Sequence, residues 1–93
     1  MKLVRWTKPA VDDLTRICDY TEEHFGAAQA RRAALAIFDN ADSLKAFPQK
    51  GRPGRRLNAR ELNIPKLPFV LIYRVRDGAI EISRILHGAQ KWP

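Results

Sequence analysis

The sequence predicts an α+β fold in which one short strand and two helices precede three further strands. Apolar residues recur at three- and four-residue steps in the first half of the chain, whereas they alternate with polar residues in the second half. The dipeptide Asp77-Gly78 stands between two of the alternating runs, where a two-residue hairpin turn fits. We therefore expect one domain over residues 1–93, ordered β-α-α-β-β-β, with a helical hairpin packed on one face of a small, mostly antiparallel sheet.

The first elements are a strand over Leu3–Trp6 and a helix that begins near Pro9. Proline suits the first helical turn because its missing N–H has no partner there, and either Thr7 or Lys8 is the cap. We expect Asp12-Asp13 in the same turn, where carboxylates complement the positive end of the helix dipole. The stripe predicted to face the core comprises Val11, Leu14, Ile17, Cys18, Thr21 and Phe25.

A second helix is predicted from about residue 27 to residue 46, separated from the first by Gly26. Its apolar face comprises Ala30, Ala33 or Ala34, Ile37, Ala41 and Leu44. Because alanine allows helices to approach closely, this stripe favours an antiparallel pair of helices.

The second half contains three candidate strands, over residues 60–64, 69–75 and 80–86. A two-residue turn at Asp77-Gly78 sets the register of the last two, so that Arg74 lies opposite Glu81 and Tyr73 opposite Ile82. The face predicted to meet the helices carries Phe69, Leu71, Tyr73, Val75, Ile80, Ile82 and Leu86. The open face carries Val70, Ile72, Arg74, Glu81, Ser83, Ile85 and His87. Arg84 falls on the helix side, so either it lies at the sheet margin or a bulge shifts the register there.

The formal net charge of +7 lies entirely in the second half. Residues 1–46 hold seven basic and seven acidic side chains, whereas residues 47–93 hold ten basic and three acidic ones. The segment over residues 48–58 is rich in proline and glycine, which predicts a loop. The basic cluster in and beside it comprises Lys50, Arg52, Arg55, Arg56 and Arg60. Such a cluster attracts a polyanion such as nucleic acid, an acidic protein segment or anionic lipid; the simpler interpretation is a solvated surface.

Several classes of protein are excluded by composition. Membrane proteins are excluded because no run approaches the roughly 18 apolar residues of a membrane span. Disulfide-rich secreted proteins are excluded because the single Cys18 cannot form an internal disulfide, and we therefore expect a reduced cytoplasmic protein. His24, His87 and Cys18 are too few and too scattered for a zinc site, and residues 51–54 are too short for a phosphate-binding loop. We expect neither a metal nor another cofactor.

Histidine and tryptophan are the remaining candidates for chemistry. His87, at the end of the last strand, is either a general acid or base of RNA cleavage or a structural histidine bonded to a nearby carbonyl. Trp6 is expected in the core. Trp92, one residue from the C-terminus, is open to stacking on a base or filling a pocket of a partner.

Four segments together resemble the RelE/ParE family of bacterial toxins, and its ParE branch in particular. They are VRWTKPAVDDL at 4–14, FPQKGRPGRRLNARELN at 47–63, FVLIYRV at 69–75 and SRILHGAQKWP at 83–93. The resemblance implies the toxin of a type II toxin–antitoxin, or plasmid stabilisation, system that causes growth arrest and is neutralised by a ParD-like antitoxin. It implies DNA gyrase as the target for the ParE branch, and ribosome-dependent mRNA cleavage for the RelE branch.

The resemblance also separates the two branches. The ribonuclease branch carries basic residues on the central strand and after the last strand, where this chain has Val70 and Gln90. We therefore expect a gyrase inhibitor that acts by binding, with an mRNA endonuclease using His87, Arg84 and Arg74 as the alternative. A harmless RNA-binding module is a third, weaker possibility. The residues expected to bind the target or the antitoxin are Arg52, Arg55, Arg56, Arg60, Arg74, Arg84, His87, Lys91 and Trp92.

Overall fold

A computed structural model describes residues 3–88 and has the predicted order of elements with one additional short strand. The elements are β1 (Leu3–Trp6), α1 (Lys8–Phe25), α2 (Ala27–Ser43), β2 (Arg52–Pro53), β3 (Arg60–Asn63), β4 (Phe69–Arg76) and β5 (Ala79–His87). The sheet has the order β1-β5-β4-β3-β2, in which β1 runs parallel to β5 and the other neighbours are antiparallel. No helix in this part of the chain is long and apolar enough to cross a membrane.

The start of α1 is tied to the sheet by Thr7, which is the N-cap. Its Oγ1 accepts a hydrogen bond from the Ala10 N–H at 3.3 Å and lies 3.0 Å from the carbonyl oxygen of Ile82 in β5, to which it donates. Pro9 occupies the first turn, as predicted. At the other end, Gly26 separates the helices with a φ of 92°, a conformation that side chains disfavour.

The buried face of α1 agrees with the predicted stripe at Leu14 and Ile17, which pack against the core, and differs from it at other positions. Val11 and Phe25 are 45% and 68% exposed, whereas Ala10 and Asp13 are buried. The aspartates also lie beyond the first turn, so the expected dipole interaction is wrong: Asp13 turns inward to bind Arg84 of β5. A charged partner on the sheet therefore sets the rotation of this helix, which apolar periodicity does not reveal.

The predicted face of α2 is confirmed, with Ala33 and not Ala34 buried, although the helix ends three residues earlier than expected. Its buried residues Ile37 and Ala41, and Leu44 directly after its end, pack with residues of β3, β4 and β5 into one core. Tyr73, at the centre of β4, is fully buried in this core.

The β4–β5 hairpin has the predicted turn and register. Asp77 and Gly78 have φ values of 52° and 74°, and Arg74 lies opposite Glu81. A bulge follows, because Tyr73 lies opposite Ile82 whereas Ile72 lies opposite Arg84, so that Ser83 is the extra residue.

The bulge exchanges the faces of the residues after it, which corrects three predicted positions. Ile85 belongs to the core under the helices, whereas Leu86 packs with Ala59 and Ile72 on the open face. His87 follows Ile85 in alternation and faces the helices, so its predicted place beside Arg74 is wrong. Val75, predicted to face the helices in the core, is 43% exposed near the turn.

Candidate functional site

The basic segment is a short β-hairpin and not an irregular loop. Arg52 and Pro53 pair with Glu61 and Arg60, and the Gly54 N–H donates to the Ala59 carbonyl at 2.7 Å. Proline is tolerated here because β2 is the edge strand and needs no outward N–H partner. The hairpin tip, residues 54–59, presents its arginines and the 88% exposed Leu57.

Tyr73 anchors the base of this hairpin to the centre of the sheet. Its hydroxyl accepts a hydrogen bond from the Gly51 N–H and donates one to the Pro48 carbonyl, both at 2.8 Å. Burial raises the pKa of Tyr73, although the Gly51 hydrogen bond and Arg60 act in the opposite direction. The phenol therefore stays protonated as the donor to Pro48, and the backbone on both sides of Gln49 is held in place.

Glu61, in β3, stabilises the hairpin through contacts with β2 and with the tip. This carboxylate is only 6% exposed, pairs with the Arg52 guanidinium at 2.9 Å and accepts the Arg55 backbone N–H at 3.4 Å. Arg60 donates to the Gly51 carbonyl at 2.7 Å. Arg52 and Arg60 therefore stabilise the hairpin in addition to contributing charge.

A groove of about 1140 Å³ lies between the hairpin tip and the end of β4. We call it the arginine groove, after the five arginines among its lining residues: Arg55, Arg56, Arg60, Arg74 and Arg76. Its lining contains no acidic residue. Arg74 is held at its edge, with Nε 3.8 Å from a Glu81 carboxylate oxygen, and this buried Nε has no hydrogen-bond partner within residues 3–88. The groove presents guanidinium groups, which bind phosphates and carboxylates in a bidentate manner.

Arg84 belongs to a different arrangement, the Asp13 cluster, formed by Asp13, Arg16, Arg84 and the Ile85 N–H. Arg84 binds both carboxylate oxygens of Asp13 at 2.7 and 3.0 Å, Arg16 binds one of them, and the Ile85 N–H donates at 2.9 Å. Since β1 pairs with β5 only as far as Ile82, no strand within residues 3–88 lies on the side of Ile85 to which its N–H points, and the Asp13 carboxylate is the acceptor instead.

The Asp13 cluster keeps its charges ionised. Burial alone would raise the pKa of Asp13, but the hydrogen bonds from Arg84 and Ile85 and the charges of both arginines outweigh it and lower the pKa. The hydrogen bond to Asp13 raises the pKa of Arg84. Arg84 therefore joins helix to sheet and is not part of the arginine groove.

His87 lies in a second groove, the apolar groove, of about 650 Å³ between the helices and the β3–β4 connection. Its ring packs edge-on against Phe69 at a centroid distance of 5.9 Å. Most of the other lining residues are apolar or aromatic: Ile17, Tyr20, Phe25, Ala33, Leu67 and Pro68, with Arg16, Thr21 and Gln29. Tyr20 and Phe25 are 60% and 68% exposed, so this groove offers aromatic surface to a partner.

The structure thus divides the residues predicted from the sequence. It brings together four of them in the arginine groove: Arg55, Arg56, Arg60 and Arg74. Arg52 belongs to the same hairpin, where it pairs with Glu61. Arg84 lies in the Asp13 cluster and His87 in the apolar groove. Lys91 and Trp92, as well as Gln90, lie outside the described residues.

Two other predicted positions agree with the structure. Trp6 packs against the core, with Phe38 edge-on at 5.4 Å. Burial raises the pKa of the Cys18 thiol, and Asp19 and Glu22 add to this effect, so the reactive thiolate is disfavoured.

Two buried carboxylates that organise these arginines, Asp13 and Glu61, are not among the site residues expected from the sequence. Asp13 follows the buried Ala10 by three positions and so continues the buried stripe of α1, whereas Glu61 takes a polar position of the alternation and lies on the face opposite Leu62. An acidic residue within a buried stripe, in a chain rich in arginine, is the signal that could have found Asp13; the sequence carries no such signal for Glu61.

The comparisons with known proteins agree with this architecture. Residues 4–92 match a family model described as the ParE toxin of the type II toxin–antitoxin system, parDE. The chain is 39% identical over 93 residues to putative toxin Y4kP of Sinorhizobium fredii, covering 99% of this chain and 94% of that protein. It is 39% identical over 90 residues to toxin RelE2 of Caulobacter vibrioides, covering 97% and 99% of the two chains.

A third relative, toxin ParE1 of Caulobacter vibrioides, is 31% identical over 87 residues, covering 94% of this chain and 90% of that protein. Among solved structures, a chain of the chromosomal ParDE toxin–antitoxin system from P. aeruginosa superimposes with a TM-score of 0.86 at 30% identity. That match covers 94% of this chain and 96% of the other.

Proposed function

Because the chain belongs to the ParE family of type II toxin–antitoxin toxins, we propose that it inhibits DNA gyrase by binding. The observation that carries this proposal is the separation of the residues needed for RNA cleavage. Arg74 lines the arginine groove, Arg84 is bound to Asp13, and His87 faces the apolar groove. A general acid or base must be within hydrogen-bond reach of the reacting group together with its stabilising cations, and this set does not converge.

The open face of the sheet supports the same proposal. Val70 packs there beside Ile72, Leu86 and Ala59 in a small apolar cluster. A phosphoryl-transfer site needs positive charge aimed at the phosphate, and this cluster supplies none. The arginine groove and the exposed Leu57 lie next to it, and they are the surface that we assign to the target.

The experiment is a supercoiling assay with purified gyrase and the purified chain. Progressive loss of supercoiling activity is expected as the chain is added, and a Leu57→Ser variant should inhibit less because it removes an exposed apolar anchor. The matched control is Leu35→Ser, an exposed leucine of α2 (54% exposed) that lines neither groove. Gyrase that remains fully active at saturating wild-type chain would reject the proposal.

We also propose that a ParD-like antitoxin neutralises this toxin by covering both grooves. The apolar groove offers exposed aromatic side chains, and the arginine groove offers charge that acidic side chains complement. Reversing Arg55 and Arg56 to glutamate should weaken the complex and flatten its salt dependence. The matched control reverses Arg31 and Arg32, which lie exposed on α2; a salt dependence that stays at the wild-type value in the groove variant would contradict the assignment.

One observation favours a second candidate function, ribosome-dependent mRNA cleavage: the 39% identical relative whose name is toxin RelE2. Under this alternative, growth arrest would be accompanied by cuts in translated messages. Primer extension should then show cuts that vanish in His87→Ala and persist in His24→Ala, the only other histidine of the chain. Intact messages during growth arrest would exclude this alternative. Either target would place the toxin in the cytoplasm, and both functions fit a plasmid stabilisation system.

A further inference from the structure

The arginines of this chain fall into two groups according to what they bind. Within residues 3–88, Arg16 and Arg84 bind Asp13, Arg52 binds Glu61, and Arg60 binds a backbone carbonyl. By contrast, the side chains of Arg56 and Arg76 make no ion pair or hydrogen bond with this part of the chain, and they line the arginine groove from opposite sides. They are therefore available to a ligand at no cost to the fold.

We propose that the arginine groove binds the phosphate backbone of duplex DNA, so that the toxin contacts the DNA held by its target as well as the target protein. This inference rests on the proposed function, since gyrase presents duplex DNA. It goes further because it assigns a ligand class to the groove itself.

The charge arrangement favours phosphates over a short acidic peptide that enters this groove alone, unlike the proposed antitoxin, which covers both grooves. The two walls of the groove, the hairpin tip and the end of β4, both carry guanidinium groups, and no acidic residue lines the space between them. Duplex DNA carries about one negative charge per 1.7 Å of its axis, so that phosphates meet both walls at once. A short acidic segment offers carboxylates at wider spacing and on alternating sides of an extended chain.

The backbone of the groove is also held in place before binding. Tyr73 fixes Gly51 and Pro48, and Glu61 holds the Arg55 N–H. Because the walls are anchored to the centre of the sheet, binding orders only the arginine side chains.

The test measures the fluorescence anisotropy of a short labelled DNA duplex titrated with the full chain at several salt concentrations, without gyrase. The variant Arg56→Glu/Arg76→Glu should weaken binding by about tenfold or more and reduce the slope of log affinity against log salt by about two. The control Arg31→Glu/Arg32→Glu changes the net charge equally on α2 and should keep the wild-type slope. Circular dichroism and thermal unfolding verify that each variant is folded.

Three results would overturn the proposal. The first is a wild-type chain that fails to bind the duplex at low salt. The second is an equal loss of duplex affinity in the groove variant and in the control variant. The third is a groove variant that no longer binds DNA-free gyrase but binds the duplex as the wild type does. The last result would assign the groove to a protein partner. Failure of the proposed function is distinguishable, since there the wild-type chain leaves supercoiling unaffected whatever its affinity for DNA.

Discussion

The Asp13 cluster and the arginine groove use the same side chain for different purposes. In the cluster, Arg84 and Arg16 converge on a carboxylate that is 4% exposed and that also accepts a backbone N–H. In the groove, Arg56 and Arg76 face solvent, and no carboxylate lines the space between them. The difference shows that positive charge alone does not identify a binding surface in this chain: Arg84 and Arg16 are bound to an internal carboxylate and maintain the fold, whereas the side chains of Arg56 and Arg76 are available to a partner.

The largest effect on stability is expected from the cluster. Asp13→Ala leaves the Ile85 N–H without its acceptor and two arginines without their anion, so the free energy of unfolding should fall by about 2–3 kcal/mol. Urea unfolding measures this. The control Asp12→Ala removes an exposed pair with Lys8 and should cost less than about 1 kcal/mol; equal losses would mean that the Asp13 cluster has no special role.

The next effect is expected at the base of the groove. A Cβ added to Gly51 would lie 2.7 Å from the Tyr73 ring and 2.9 Å from the Glu61 carbonyl oxygen, and neither neighbour is free to move. Gly51→Ala should therefore destabilise the chain by about 1–3 kcal/mol and displace the hairpin. In Gly88→Ala the nearest atom is at an ordinary 3.5 Å, so thermal unfolding should show little change. If both variants unfold at the wild-type temperature, the anchoring by Tyr73 is not significant.

The stability contributed by the Asp13 cluster should depend on pH. The pKa of Asp13 in the folded protein lies below its ordinary value of 3.8, so its contribution is complete above that value and is lost as the pH falls through the lowered pKa. The stability difference between wild type and Asp13→Asn should therefore shrink as the pH is lowered below about 4. Urea unfolding at a series of pH values measures it, and a difference independent of pH would show that ionisation of Asp13 is irrelevant.

The smallest effect on stability is expected in the groove itself. Arg56→Glu/Arg76→Glu removes no ion pair within residues 3–88, so the free energy of unfolding should stay within about 0.5 kcal/mol of the wild-type value. Urea unfolding of this variant is also the control for its loss of binding. A loss comparable to that of Asp13→Ala would mean that these arginines are structural, and the contrast between the two regions would disappear.

Much of the fold could be predicted because it depends on local signals. The turn at Asp77-Gly78 needs positive φ at both residues, and this alone sets the register from Arg76 back to Tyr73. The buried face of α2 follows from its alanines and Ile37. Short β2 was missed because two residues, one of them proline, carry no periodic signal.

The candidate site was predicted in part. The charge of the segment around Arg55 and Arg56 is visible in the sequence, and these residues do line one groove with Arg60 and Arg74. The placement of His87 was wrong because a single extra residue, Ser83, exchanges the two faces of the strand after it. The one local sign of that bulge is Arg84, a charged residue on the face predicted to meet the helices, and it left a position at the sheet margin as an equal alternative.

The sequence by itself determined the order of the elements, the hairpin register near its turn and the concentration of positive charge after residue 46. These properties depend on neighbours within a few positions, where propensity and periodicity act. Only the tertiary structure decided which arginines are bound to an internal carboxylate, because Asp13 and Arg84 are 71 positions apart and meet through the packing of α1 on β5. The same packing provides the carboxylate that accepts the Ile85 N–H beyond the end of β1. A long-range ion pair, and not composition, therefore separates the charge that maintains this fold from the charge available for binding.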